Sequence, residues 1–212
     1  MKLLIKPILL ALTLGTASLS AGLFEGTLTY EVKSGNDVQE VSFLVKGNRM
    51  AIETPANPRG LVLLNRETMK AQVLMPQQKM YIEVPADKFV KNAKQKESGQ
   101  FEVTDETREI LGYTAKKVIY TDGGETSELW ITDELGSFQP LEGPLSGETP
   151  AELLNAFPNG GMPLVIRTSG KGRPTEIVVT AIKAENVADS DLEVPSGYRP
   201  LNLKGMALPG MP

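Results

Sequence analysis

Apolar and polar residues alternate along much of this chain. From Leu23 to Lys33, Leu28, Tyr30 and Val32 fall on one side and Thr27, Thr29, Glu31 and Lys33 on the other. That period of two is the mark of a strand with one buried face. Ser34-Gly35-Asn36-Asp37 reads as a turn. Val38 to Lys46 alternates again, with Val41, Phe43 and Val45 inward, and after Gly47-Asn48 the run Arg49 to Glu53 puts Met50 and Ile52 inward. Turns this tight join antiparallel neighbours, so the three runs predict a meander. Residues 60–65 (GLVLLN) are apolar without alternation, which predicts a strand covered on both faces or lying beside a ligand. Met69 to Met75 and Lys79 to Val84 are two more strands around Pro76-Gln77-Gln78, and Phe101 to Glu109 leads into a third pair of runs.

That pair is the clearest hairpin in the chain: two extended runs hinged on Asp122-Gly123-Gly124. A Gly123-Gly124 loop sets Val118 opposite Leu129 and Tyr120 opposite Ser127. An Asp122-Gly123 loop would set Val118 against Ser127 and Lys116 against Leu129, wasting the apolar pairs, so the first register is preferred. Leu129 and Ile131 then face the core. Trp130, the single tryptophan, goes to the opposite face with Lys117, Ile119 and Glu128.

Helical signals are few. Ala86 to Ala93 predicts a short helix, followed by an exposed polar loop over Lys88 to Gln100. Leu135 to Glu148 is rich in Gly, Pro and Ser and has little period. Thr149 and Pro150 then suit the N-cap and first helical position, with Glu152 at the capping-box position. Leu153, Leu154 and Phe157 give that helix a small apolar stripe, and Pro158-Asn159-Gly160-Gly161 stops it. Pro163 to Thr168 and Thr175 to Lys183 predict a second hairpin over Ser169-Gly170-Lys171-Gly172. Leu192 to Pro195 predicts a last short strand, and residues 203–212 a disordered tail. The sum is about ten strands and one or two short helices, with turns about every ten residues as in sandwiches and barrels.

The N-terminus supplies a compartment. Lys2 and Lys6 precede a short apolar run, Ile8 to Leu14, and Ser18-Leu19-Ser20 fits a small-x-small cleavage site before Ala21. The run is too short for a membrane span, which needs roughly 20 apolar residues. Residues 1–20 therefore predict a cleaved signal peptide, residues 21–202 a single domain, and the location the periplasm. The 22 basic and 26 acidic residues give a net charge of −4, and removing Lys2 and Lys6 takes it to −6. An acidic surface argues against nucleic acid as a partner. The chain has no cysteine and no histidine. An exported chain without disulfides fits a bacterial periplasm. Without histidine it lacks the commonest general acid–base and the commonest zinc ligand.

Candidate chemistry thins out accordingly. Ser146 sits one position off a nucleophile-elbow pattern, and Val165 occupies the place where a phosphate loop before Lys171 needs its first glycine. Asp189, Asp191 and Glu193 alternate as calcium ligands could, and Met162, Met206 and Met211 are dispersed candidates for copper(I). Ordinary solvated acids and loop methionines account for both sets. Glu125 with Glu128, and Asp105 with Glu106, are paired carboxylates without the aromatic platform of a sugar cleft. The expectation is a protein that is no enzyme and carries no metal or cofactor. What remains is apolar lining: Phe43, Met50, Ile52, Val73, Met75, Met80, Ile82, Val118, Tyr120, Leu129 and Ile131. These either fill an ordinary core or line a groove on one curved sheet, where methionines suit an adaptable apolar surface.

Several segments together resemble a known family. They are Phe24-Glu25-Gly26-Thr27-Leu28-Thr29-Tyr30, Lys46-Gly47-Asn48-Arg49-Met50, Met75-Pro76-Gln77-Gln78-Lys79-Met80-Tyr81, Ile110-Leu111-Gly112-Tyr113, Glu128-Leu129-Trp130-Ile131-Thr132, Gly161-Met162-Pro163-Leu164 and Leu192-Glu193-Val194-Pro195-Ser196-Gly197-Tyr198. The series is similar to the exported family called domain of unknown function 4412, itself distantly similar to the lipoprotein carriers LolA and LolB. The resemblance implies a mainly β fold, a single curved antiparallel sheet forming a half-barrel, whose concave face in those carriers takes acyl chains under a helical lid. The expected partner is a lipid or acylated ligand; the alternative is an envelope protein docking on a domain with a filled core.

Overall fold

In the computed structural model the described residues are 22–54, 60–86, 99–138, 145, 151–170 and 174–201. The signal-peptide segment, the body of the Ala86–Ala93 helix, most of the Lys88–Gln100 loop, Thr149, Pro150 and the 203–212 tail lie outside them.

The alternating runs pair as their turns require. Strands β1 (Glu25–Ser34), β2 (Asp37–Lys46), β3 (Arg49–Thr54), β4 (Gly60–Asn65), β5 (Lys70–Met75) and β6 (Met80–Pro85) form one antiparallel meander. A second runs through β7 (Gln100–Ile110), β8 (Tyr113–Asp122), β9 (Glu125–Thr132), β10 (Met162–Ser169) and β11 (Thr175–Ala184). β1 pairs with β11, and the two meanders become a single open curved sheet of twelve strands, ordered β12-β6-β5-β4-β3-β2-β1-β11-β10-β9-β8-β7. The final pair, β12 (Arg199–Pro200), is parallel to β6.

Register carries one apolar face across the whole sheet. Leu28, Phe43, Ile52, Val62, Val73 and Ile82 lie side by side on β1 to β6. Val32, two pleats from Leu28, continues the face through Ile177, Ile166, Leu129, Val118 and Val103 on β11 to β7. The hairpin has the preferred register, with Val118 opposite Leu129 and Tyr120 opposite Ser127. Irregularities at Thr29/Tyr30, Pro163/Val165 and Val103/Thr107 interrupt the ladders. Bulges of this kind bend and twist a sheet.

Two covers complete the packing. On the inner face, α1 (Ala151–Ala156) follows β9 and buries Leu153, while Phe157 just beyond it packs with Val118, Leu129 and Ile131. The expected stripe is narrower than the sequence pattern. Leu153 and Phe157, four apart, point inward, and Leu154, about a quarter-turn round, is 56% exposed. On the outer face, residues 185–201 lie across β3 to β5, with Val187 and Leu192 packed on Ala51, Leu63 and Leu74. This explains the non-alternating β4: Val62 and Leu64 enter the inner core, and Leu61 and Leu63 meet the C-terminal segment.

That segment corrects one expectation. Leu192 to Pro195 is not a strand; Asp189–Leu192 is a 3-10 turn and the strand comes later, at Arg199–Pro200. Leu192 is used as a knob in the outer-face cluster, and Pro195, with no N–H, cannot join a ladder. Lys46 donates to the Val187 carbonyl at 2.9 Å, and the Asp189 carboxylate pairs with Lys46 and Arg49. Asp189, weighed as a calcium ligand, is thus engaged with two cations.

Gly26, at the β1–β11 seam, has φ of +143°, and a Cβ there would overlap the Lys183 carbonyl oxygen of β11. Gly26→Ala should therefore cost more than the ~1 kcal/mol of an ordinary glycine substitution, about 2–4 kcal/mol. Urea unfolding measures this, and a loss under about 0.5 kcal/mol would mean the seam tolerates movement.

Candidate functional site

The inner face is built almost wholly from hydrocarbon. Met50, Ile52, Val118, Tyr120, Leu129 and Ile131, all expected lining residues, are buried there. Phe43, Val73 and Ile82 are partly buried against the same core, and Met75 and Met80 pair across β5 and β6 at half-buried positions near its rim. All eleven expected residues therefore share one face, as the register requires.

Among the described residues they pack as a core rather than around an open cavity. The space beneath α1 measures about 50 Å³, bounded by Ile131, Ser137, Phe138, Leu145, Leu153, Leu154, Phe157, Gly160 and Gly161. That holds a few waters at most. Of the eleven, Ile131 alone touches it. The other walls are Phe138 and the α1 side chains, which strand alternation does not single out.

Phe138 links this cavity to the middle of the sheet. Its ring stacks on Tyr30, with centroids 6.0 Å apart and planes at 27°, and meets Phe43 at 5.8 Å; Tyr30 and Phe43 meet edge-on at 5.5 Å. Aromatic contacts of this geometry contribute about 0.5–1.5 kcal/mol each beyond burial. The Tyr30 hydroxyl is different in kind: it is buried and has no hydrogen-bond partner among the described residues. Burial also pushes its pKa well above the usual tyrosine value, so it stays a neutral donor. The other buried hydroxyls on these strands are satisfied. Ser127 bonds Thr168 at 2.9 Å, and Thr132 accepts from the Glu134 amide at 3.3 Å. Alternation marks Tyr30 as inward in the sequence, but nothing there shows its hydroxyl unpaired. Phe138 lies in the Gly/Pro/Ser-rich stretch and leaves no periodic signal.

The outer face of the second meander carries charge instead. Lys33, on the adjoining β1, Glu176, Arg167, Glu128, Lys117 and Glu106 alternate in sign across six strands. Arg167 donates to Glu176 at 2.6 Å and to Glu128 at 3.2 Å, and Lys117 donates to Glu106 at 3.0 Å. Trp130 is buried among these side chains: its indole N–H donates to Glu128 at 2.8 Å and the Arg108 guanidinium lies 4.0 Å over its ring. Parity placed it on this face, and charged side chains rather than a loop cover it. The open trough beside the ladder, about 810 Å³, is walled by Lys33, Glu128, Arg167 and Glu176 together with Ile119, Pro174 and the hydroxyl side chains of Thr126, Thr168, Ser169 and Thr175. Its two carboxylates, Glu128 and Glu176, both pair with Arg167.

The family model for the Domain of unknown function (DUF4412) matches residues 24–198. This chain belongs to that family. No curated protein sequence matches it. Among solved structures, the chain is similar to one in the complex of Pseudomonas aeruginosa MucA/MucB, with 13% identity and a TM-score of 0.50 over 80% of this chain and 55% of that one. A crystal structure of MucB aligns at 12% identity and TM-score 0.48, covering 84% and 60%. PNGF-II aligns at 17% identity and TM-score 0.45, covering 82% of this chain and 31% of that one. The DUF4412 chain thus spans between a third and three-fifths of these proteins. At such identities the MucA/MucB likeness speaks to fold alone, and it agrees with a LolA-like half-barrel. The strand count is twelve rather than about ten, the last of them the two-residue β12.

Glu128 has its pKa held below the ordinary 4.5, first by the Trp130 indole N–H and then by Lys117 and Arg167. A lowered folded-state value contributes stability that is present above 4.5 and is lost as pH falls through the folded value. Urea unfolding between roughly pH 6 and pH 2 should show a shallower acid-side decline for Glu128→Gln than for the wild type. Parallel declines would mean the ladder is not coupled to folding.

Proposed function

We propose that this domain is a non-catalytic binding protein, exported to the periplasm, that takes up a hydrophobic lipid or acyl-chain ligand between the inner sheet face and the cover formed by α1 and Phe138. The observation that carries this reading is the mismatch between the two surfaces. An apolar face runs across eleven strands, and among the described residues the helix on it is six residues long and buries one leucine. A light cover over a wide apolar face can be displaced by a ligand that replaces its contacts.

Magnitudes favour that exchange. Lifting Leu153, Phe157 and Phe138 costs roughly 1.5–3 kcal/mol each. An acyl chain of about fourteen methylenes returns about 0.8 kcal/mol per methylene, near 11 kcal/mol. The closed cavity of about 50 Å³ is then the unliganded state, and binding requires the cover to open.

A second reading rests on the same small cavity. If the inner face stays filled, the domain is an envelope module that docks a protein partner on its surface. The similarity to a chain of the MucA/MucB complex shows a comparable fold in a protein–protein assembly, which supports that alternative.

Uptake of a fluorescent long-chain acyl probe by delipidated protein separates the two. Phe138→Ala should bind the probe about 5- to 50-fold more tightly than the wild type, because the plug no longer has to be displaced. Absence of uptake by both proteins would contradict the ligand reading and favour the protein partner.

A further inference from the structure

Resting on the ligand reading above, we infer that Tyr30 is a specificity residue whose hydroxyl donates a hydrogen bond to a neutral carbonyl of the guest. The favoured guest is an ester-linked acyl chain rather than a bare hydrocarbon or a free carboxylate. An unpaired buried hydroxyl costs about 1–3 kcal/mol, and nothing in the packing of β1 requires it. Phenylalanine would fill the same space beside Phe43 and Phe138 without the penalty. The hydroxyl is therefore a donor held ready on an otherwise apolar face.

Its position fits that role. Tyr30 and the cavity beneath α1 share one wall, the ring of Phe138. Displacing that ring, which also meets Phe43, would open a way from the cavity toward Tyr30 and the Phe43–Ile52 pair. A guest entering there lays its chain along that pair and brings its carbonyl to the phenol. The surroundings select the charge state. The residues packed round Tyr30 among those described are hydrocarbon, where desolvating a carboxylate is far costlier than desolvating an ester, and Arg167 pairs with Glu128 and Glu176 on the opposite face. Two sources carry such esters, glycerophospholipids and diacylated lipopeptides, and both present the same carbonyl.

The test compares ester and ether versions of one guest. A short-chain diester phosphocholine and its diether analogue, which lacks the carbonyls, are titrated calorimetrically into delipidated wild type and Tyr30→Phe. The same ester/ether pair on an S-glyceryl-cysteine peptide forms a second arm, and the tighter-binding arm identifies the source. The wild type should prefer ester over ether about 5- to 10-fold in at least one arm, and Tyr30→Phe should lose that preference while keeping ether affinity. Equal ester and ether binding by the wild type overturns the Tyr30 assignment and leaves the ligand reading intact. No binding of any guest overturns the ligand reading, and with it this inference. The unliganded Tyr30→Phe should melt at or above the wild-type temperature. A fall of several degrees would show that the hydroxyl is already bonded to an ordered water, which also overturns the assignment.

Discussion

Everything in this fold depends on the seam between β1 and β11. β1 is the first strand in the chain and sits in the middle of the sheet, paired with β2 on one side and β11 on the other. The β2–β6 pairings and the β7–β9 pairings are between neighbours in sequence, closed by short turns. The seam joins residues about 150 positions apart, from Gly26 opposite Ala184 to Ser34 opposite Thr175. Without it there would be two open meanders, each exposing an apolar face. With it, the row from Val103 through Val32 and the row from Leu28 to Ile82 become one surface. Long-range pairing of this kind has a high loop-closure cost, so the local hairpins are expected to form before it.

The two faces of the second meander divide the work. Its outer face is a ladder of paired charges around Trp130, partly exposed and of modest energetic weight. Its inner face is hydrocarbon under a six-residue helix. In the first meander the outer face is apolar as well and is sealed by residues 185–201, with Val187 and Leu192 as knobs and Asp189 tied to Lys46 and Arg49. Among the described residues, the outer face of the first meander is covered by residues 185–201 and the inner face of the second by α1, Phe138 and Phe157. The expected lining residues share the inner face of the sheet, and in the proposed ligand reading the parts that open are Phe138, Leu153 and Phe157.

Much of this was legible in the chain because alternation is local and unforgiving. A one-residue slip turns every side chain over, so Val118 opposite Leu129 follows from apolar pairing, and the outward placement of Trp130 follows from parity. The unbroken apolar run of β4 foretold two covered faces. What alternation cannot encode is contact between distant segments. The β1–β11 seam, the route of residues 185–201 over the outer face and the seating of Phe138 on Tyr30 all join parts of the chain with no shared pattern. Leu192 to Pro195 looked like a strand because its apolar spacing serves a knob packed flat on a sheet equally well. The unpaired state of the Tyr30 hydroxyl depends on everything around it, and no sequence window contains that.

The most direct measurement is native mass spectrometry of the protein purified without detergent from the cells that make it. A displaceable cover over an apolar inner face predicts a population heavier than the bare chain by the mass of one lipid or acylated molecule, removed by organic extraction. A single species at the mass of the bare chain alone, from cells rich in candidate lipids, would contradict the account.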